Sequence, residues 1–235
     1  MNGQTVVVTG GSRGIGAALV RAFAAEGATV VACARDEEAL AAVVDDAADV
    51  AAGPDAVQGV HADVRDEFDA ERLMETAARA GDGNGVDVVV ANAAVIHGAP
   101  GEMPMDEESY SAFDDALRTN VRGVFATVRE ALPHMPADGR VLVPSGSVAH
   151  EAKAGMGAYA VSKAGAEAVA RGFAVDCEQV VTVVDPGLVA TDLTGGNGHD
   201  PEDAAAQFVW VATDASAEEI DGARVDRKAW RKATR

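Results

Sequence analysis

The sequence predicts a single α/β domain: a doubly wound parallel sheet of six to seven strands with helices on both faces. Three observations predict it. Short valine-rich runs alternate with longer amphipathic segments along most of the chain, the pattern of βαβ units. The short runs are apolar at nearly every position, as strands covered on both faces are. A glycine-rich turn at 9–16 joins the first strand to the first helix.

The elements follow in order. "TVVVTG" (5–10) is a β-branched run ending in glycine, hence a buried strand. "GIGAALVRAFAAEG" (14–27) has helical periodicity and stops at Gly27, a natural C-cap. "ATVVACAR" (28–35) is the second strand, and "DEEALAAVVDDAA" (36–48) a helix with acids in its first turn, where the helix dipole favours them. "AVQGVHADV" (56–64) holds the third strand and "DEFDAERLMETAARAG" (66–81) the third helix. "VDVVVANAA" (86–94) is the fourth strand, followed by one long helical stretch at 106–135. "GRVLVPSGS" (139–147), a helix at 158–177, "VVTVVDPG" (180–187) and a helix at 201–214 complete the alternation. The residues 1–235 contain no repeat and no linker long enough to divide them, so one domain is expected, with a short lid at about 192–200 and a tail at about 218–235.

The turn "TGGSRGIG" carries Gly10, Gly14 and Gly16. Glycines let backbone approach a pyrophosphate, and a helix N-terminus supplies free N–H groups with a partial positive charge. At the first strand of a doubly wound pattern this makes the fold Rossmann-like, with a bound dinucleotide. The second strand ends at Arg35, nineteen residues after Gly16. An acid there would take the ribose 2′-hydroxyl of NAD; arginine suits the 2′-phosphate of NADP. Arg13, inside the turn, can reach the same phosphate, so NADP(H) is the expected cofactor. The competing account makes both arginines solvated surface residues and gives the 2′-hydroxyl to Asp36. Asp63, ending the third strand, is either an acceptor for the adenine amine or a helix cap. Asn92, ending the fourth, faces the crevice at the carboxyl ends of the strands.

Tyr159 and Lys163 lie four residues apart in "GAYAVSKAG", on one helix face. Hydride transfer to a carbonyl leaves an alkoxide that needs a proton. A phenol can supply it, a nearby ammonium lowers the phenol's pKa, and a serine hydroxyl can hold the carbonyl oxygen. Ser145 and Ser147 end the preceding strand. Alone, the tyrosine and lysine would more simply be a packed ring and a snorkelling side chain; beside the glycine turn, Asn92 and the serines they read as a reaction centre.

These residues resemble the short-chain dehydrogenase/reductase family, over Val6 to about Asp214. "TGGSRGIG" matches its cofactor turn, which brings Ser12 and Ile15 into the cofactor set; Val64, beside Asp63 at the end of the third strand, is expected in that set too. "NAA" at 92–94 stands where the family has Asn-Ala-Gly, with Ala94 as a departure. Asn120 in "TNVRGVF" matches the helix asparagine whose backbone kink, through water, links the lysine to solvent. "YAVSK" matches the Tyr-x-x-x-Lys pair, with Lys163 also expected on the nicotinamide ribose. In "DPGLVAT", Pro186 and Gly187 would shape a turn, and Val189 and Thr191 would contact the carboxamide. The family's serine stands thirteen before the tyrosine, where this chain has Gly146. Ser147 is preferred, on a one-residue deletion in the following loop, with Ser145 the alternative. The tail lacks the family's final Thr-Gly strand and glycine pair, although "ARVD" suits a seventh, edge strand.

The resemblance implies an NADP-dependent oxidoreductase acting on a small carbonyl or alcohol. It also implies a homodimer or homotetramer formed through the helices at 106–135 and 158–177. The rival from another class is a regulator that binds NADP(H) without turnover; a same-fold epimerase would want a larger C-terminal domain. The short, glycine-rich lid favours small or varied substrates. His97, His150 and Met156 are expected at its mouth, without assigned roles.

Composition bounds the rest. The 38 acidic and 19 basic residues give a net charge of −19, which disfavours nucleic acid and anionic membranes as partners. With four lysines and abundant alanine and valine, the chain resembles proteins of salt-loving organisms, where salt screens self-repulsion. No apolar run reaches membrane-spanning length and no leader pattern opens the chain, so a cytoplasmic protein is expected. Cys33 and Cys177 are expected as buried free thiols, and no metal site is expected.

Overall fold

A computed structural model describes residues 1–53 and 55–235. The seven strands are β1 (Thr5–Thr9), β2 (Thr29–Ala34), β3 (Val57–His61), β4 (Val88–Val90), β5 (Arg140–Pro144), β6 (Val180–Asp185) and β7 (Arg224–Asp226). They form one sheet in the order β3-β2-β1-β4-β5-β6-β7, every pairing parallel. The order reverses between β1 and β4, the switch point at which doubly wound folds bind ligands. The expected edge strand at "ARVD" is present as β7.

Side chains alternate along each strand, so Val6 and Val8 enter one core layer and Val7 the other. The first layer packs under α1 (Gly14–Ala25), α2 (Glu37–Ala48) and α7 (Pro201–Thr213), with Phe23, Leu19 and Phe208 wholly buried. The second packs under α3 (Glu67–Ala78), α5 (Gly123–Ala131) and α6 (Gly157–Asp176), with Leu73, Met74 and Val128 at its centre.

The stretch 106–135 is not one helix. It divides into α4 (Tyr110–Leu117), a π-helical turn at Arg118–Arg122, α5 and a 3₁₀ turn at Leu132–His134. In the π turn the Gly123 N–H donates to the Arg118 carbonyl, one residue further back than in an α-helix. Asn120 sits at its centre with both ends of its amide used: Oδ1 accepts from Val95 N at 2.8 Å, and Nδ2 donates to Val95 O and to Ser162 Oγ, each at 2.9 Å. The bulge is the local cost of keeping that side chain in register with the loop after β4 and with α6 together.

The tail forms α8 (Ala217–Ile220), β7 and α9 (Arg227–Ala233). Two of its basic residues meet acids of the body: Arg224 pairs with Asp185 at 2.6 Å and Arg227 with Asp203 at 3.4 Å. Of the two cysteines, both free, Cys33 is buried as expected, whereas Cys177 at the C-terminus of α6 is only half-buried.

Candidate active site

A groove of about 1160 Å³ runs along the carboxyl ends of β1–β4. Gly10, Ser12, Gly14, Ile15 and Gly16 line it where β1 turns into α1. Gly10 has a φ of +69°, and a Cβ on Gly16 would stand 2.0 Å from the Gly10 carbonyl oxygen. Only glycine fits this turn. Asn92 braces it, donating from Nδ2 to the carbonyls of Thr9 at 2.9 Å and Gly10 at 3.2 Å. Asn92 therefore lines the groove as expected, but its amide N–H groups are spent on the loop. Arg13 is the N-cap of α1 and makes no side-chain cap, and the first turn of the helix contains no acid. The N–H groups of α1 thus face the groove without a side-chain acceptor, which suits a phosphate.

Arg13 and Arg35 stand exposed at the groove's edge, and neither forms a salt bridge among the described residues. In a chain with twice as many acids as bases, two unpaired guanidiniums beside one groove mark a place for a dianion. Asp36 is committed elsewhere: its Oδ1 caps α2, accepting from Ala39 N at 3.0 Å.

Asp63 and Val64 line the groove next to Ala93 and Ala94. Asp63 is not the cap of α3; Asp66 is, accepting from Phe68 N at 2.9 Å. Instead Arg65 grips the Asp63 carboxylate, its Nε and Nη2 donating at 2.6–3.0 Å, while its Nη1 donates to Asp115 at 2.7 Å. These bonds outweigh desolvation and hold Asp63 below the usual carboxylate range. His97 Nε2 lies 3.0 Å from the other Asp115 oxygen and reaches the groove, so the chain Asp63–Arg65–Asp115–His97 walls this end. Neither Arg65 nor Asp115 stood out in the sequence, where they lie fifty residues apart.

Thr191 closes the groove from the far side with Asp192 and Leu193, the start of a 3₁₀ turn at Asp192–Thr194. Pro186 is buried and Gly187, at a φ of +79°, makes the turn after β6. The lid beyond is pinned: Ala190 N donates to His199 O at 2.8 Å and His199 N to Leu188 O at 3.0 Å. Val189 is 2% exposed and does not line the groove, and neither do Pro186 and Gly187. His150 is also absent from it, touching Arg224 instead, and Met156 bridges to Met103 at the start of α6.

Tyr159, Lys163, Ser145 and Ser147 cluster beyond the groove's lining, where α6 packs on the end of β5. The two serines differ. Ser145 is buried and its Oγ donates to Glu167 Oε1 at 2.6 Å, so its proton is spent. Ser147, half-buried, accepts a hydrogen bond from Lys153 Nζ, which leaves its own O–H free. Lys153 was not singled out from the sequence; a lysine in the loop 150–156 carries no pattern of its own. Lys163 is 8% exposed, and its Nζ donates to the Pro144 carbonyl at 2.5 Å. Burial pushes its pKa down to about 8, against the opposing charges of Glu167 and Asp185.

Burial also raises the pKa of Tyr159. The Lys163 ammonium, one turn along α6, is turned to the Pro144 carbonyl. Cys33 lines the groove beneath the loop, but burial pushes its thiol up to about 12, so it is no nucleophile at neutral pH. No helix is long and apolar enough to cross a membrane among the described residues.

Comparison with known proteins agrees with this geometry. The short chain dehydrogenase family profile matches residues 4–202. The short chain dehydrogenase/reductase AacuN of Aspergillus aculeatus is 35% identical over 203 residues, covering 84% of this chain and 73% of the relative. The L-fucose dehydrogenase of Rattus norvegicus is 34% identical over 197 residues, covering 82% and 68%. A short chain dehydrogenase from Burkholderia cenocepacia, solved in complex with NADP, superposes with a TM-score of 0.84 at 27% identity and covers 96% of both chains. Sequence, sheet order and glycine turn agree: the chain belongs to the short-chain dehydrogenase/reductase family of oxidoreductases.

Proposed function

We propose that the protein is an NADP(H)-dependent reductase of small carbonyl compounds. The observation that carries the cofactor assignment is the uncapped N-terminus of α1, opening on a groove flanked by the unpaired Arg13 and Arg35. The NADP in the similar Burkholderia structure supports the same reading. The α1 N–H groups, with Gly10, Ser12, Gly14, Ile15 and Gly16 around them, hold the pyrophosphate. Arg13 and Arg35 take the 2′-phosphate. Asp63 and Val64 face the adenine, Asn92 keeps the loop closed against it, and Thr191, with Val189 and the Pro186–Gly187 turn behind it, faces the carboxamide. When bound, the cofactor supplies or accepts the hydride.

The protein's own groups do the rest. The free O–H of Ser147 donates to the substrate's carbonyl oxygen, and the Lys153 ammonium behind it strengthens that donation. Tyr159 then protonates the same oxygen as negative charge develops there. Its raised pKa keeps the phenol protonated at neutral pH, the state in which reduction begins. Lys163 sits one turn along α6 as the nearby positive charge and the partner of the nicotinamide ribose, and Asn120 holds α6 against the loop after β4. Ser145 is assigned a structural role, through Glu167.

We further infer a cytoplasmic, salt-adapted homodimer or homotetramer formed through α4–α6. Free thiols and the −19 charge support the first two properties, and the exposed Phe125 and Val161 on these helices support the third. A carbonyl panel assayed with NADPH in molar salt tests the reaction, with Tyr159→Phe as the blank. Turnover that survives in Tyr159→Phe contradicts the proton assignment; binding without turnover leaves a nucleotide-binding regulator.

A further inference from the structure

Behind Lys163 lies a set of charges that neither the groove nor the hydride chemistry requires. Glu167 stands one turn further along α6, 8% exposed, with its Oε1 accepting from Ser145 Oγ at 2.6 Å. Asp185 ends β6, also 8% exposed; its Oδ1 accepts from Gly187 N at 2.9 Å and its Oδ2 from Arg224 Nη2 at 2.6 Å. Arg224 comes from β7, and its Nε lies 3.9 Å from Glu167 Oε1. That Nε is buried and has no hydrogen-bond partner among the described residues. Lys163 and Glu167, both buried, lie one turn apart on α6, and Arg224 lies against both carboxylates, so the two cations and two carboxylates make a set that is formally neutral.

We propose that Glu167 and Asp185, clamped by Arg224 of the last strand, are positioning residues that keep Lys163 an ammonium during turnover. This inference rests on the catalytic reading above. Its physical basis is charge balance in a poorly solvated place. Burial alone favours the neutral amine, and an opposite charge nearby restores the ammonium. Removing one carboxylate leaves a net positive charge. Arg224 cannot relieve it, since a guanidinium keeps its proton, so Lys163 must. The other groups around Lys163 do not substitute. On α6 these are Tyr159, neutral, and Arg171, exposed and 3.9 Å from the Glu167 carboxylate. On the loop after β5 they are His150, against Arg224, and the Lys153–Glu151 pair at 3.4 Å. The π turn packed on α6 presents the neutral Asn120.

The set also ties the tail to the centre. Arg224 touches the ring of His150, three residues after Ser147, so β7 contacts both the loop of the substrate-holding serine and the buried acids. A strand of three residues at the sheet edge thereby acts on the reacting end.

The chain has four lysines, so ¹³Cε NMR of lysine-labelled protein resolves Lys163, with Lys163→Met giving the assignment. Glu167→Gln preserves the acceptor for Ser145 and removes the charge. Its Lys163 midpoint, and that of Asp185→Asn, should fall by about one pH unit or more. Arg224→Met should move the midpoint upward, because it removes the competing cation; a merely structural role gives no such opposite sign. The alkaline limb of kcat/KM for carbonyl reduction should fall with the midpoint in Glu167→Gln. A midpoint unmoved in both acid variants overturns the charge set. A midpoint that moves while the alkaline limb stays overturns its role in turnover. A wild type that reduces no carbonyl overturns that role together with the reading it rests on, and the NMR titration, which needs neither cofactor nor substrate, tells the two failures apart.

Discussion

Asn120→Ala is the substitution whose cost can be worked out from the hydrogen bonds it removes. Asn120 is 1% exposed and makes three hydrogen bonds, at 2.8, 2.9 and 2.9 Å. Alanine breaks all three and strands the Val95 N–H and carbonyl, while Ser162, itself 0% exposed, loses its donor. A typical bond is worth about 1 kcal/mol net, and a buried group left unpaired costs about 1–3 kcal/mol, so a loss of roughly 3–5 kcal/mol follows. Water entering the π turn would keep it at the lower end. Against a total stability of about 5–15 kcal/mol, the variant should still fold. For a chain of this size each kcal/mol lowers Tm by roughly 2–4 °C, so a fall of about 6–12 °C is expected at the lower bound. Thermal unfolding followed by circular dichroism in high salt reads it. A Tm for Asn120→Ala within about 2 °C of wild type would refute the reasoning, because less than one net bond would have been lost.

Other expectations follow from the same geometry. Gly16→Ala drives a methyl into the Gly10 carbonyl and should abolish NADPH binding, read by nicotinamide fluorescence, while the core layers keep their far-ultraviolet spectrum. Lys163 gives a stability term whose sign can be stated: its folded pKa, about 8, lies below its unfolded value of 10.5, so between these pH values the unfolded chain binds more protons and this term rises with pH. The unfolding free energy of wild type minus that of Lys163→Met, from urea titrations, should therefore climb by up to about 1.4 kcal/mol per pH unit across that window; a flat difference would contradict the burial of the ammonium. Phe125→Glu, on the exposed face of α5, should shift the assembly toward monomer in light scattering, and an unchanged mass would remove that face from the interface. The charge of −19 predicts unfolding at lower temperature as salt is withdrawn, and full stability in dilute buffer would contradict salt adaptation.

What the sequence made legible were features written locally. The valine runs declared a parallel sheet, and the glycine turn, Tyr159, Lys163 and the two serines marked the candidate site. The edge strand at Arg224–Asp226 was visible in "ARVD" alone. What stayed hidden depends on pairs distant in the chain. The π turn has no composition of its own; it exists because Asn120 must meet Val95 and Ser162, twenty-five and forty-two residues away. The clamp of Arg65 on Asp63 and Asp115, and that of Arg224 on Asp185, join residues that no local pattern connects. Spacing alone left Ser145 and Ser147 equivalent; what sets them apart is the bond of Ser145 to Glu167, which no motif connected to either serine. The raised pKa of Tyr159 is likewise a matter of burial, which spacing does not convey.

The most direct test of the account is a fluorescence titration of the purified protein with NADPH and with NADH in molar salt. Charge-assisted bonds from Arg13 and Arg35 to a 2′-phosphate, at about 1.5–3 kcal/mol, predict NADPH binding roughly ten- to a hundredfold tighter than NADH. Arg35→Ala should erase most of that margin without weakening NADH. Equal affinity for the two nucleotides in the wild type would strip both arginines of their assignment, and binding of neither would contradict the cofactor groove itself.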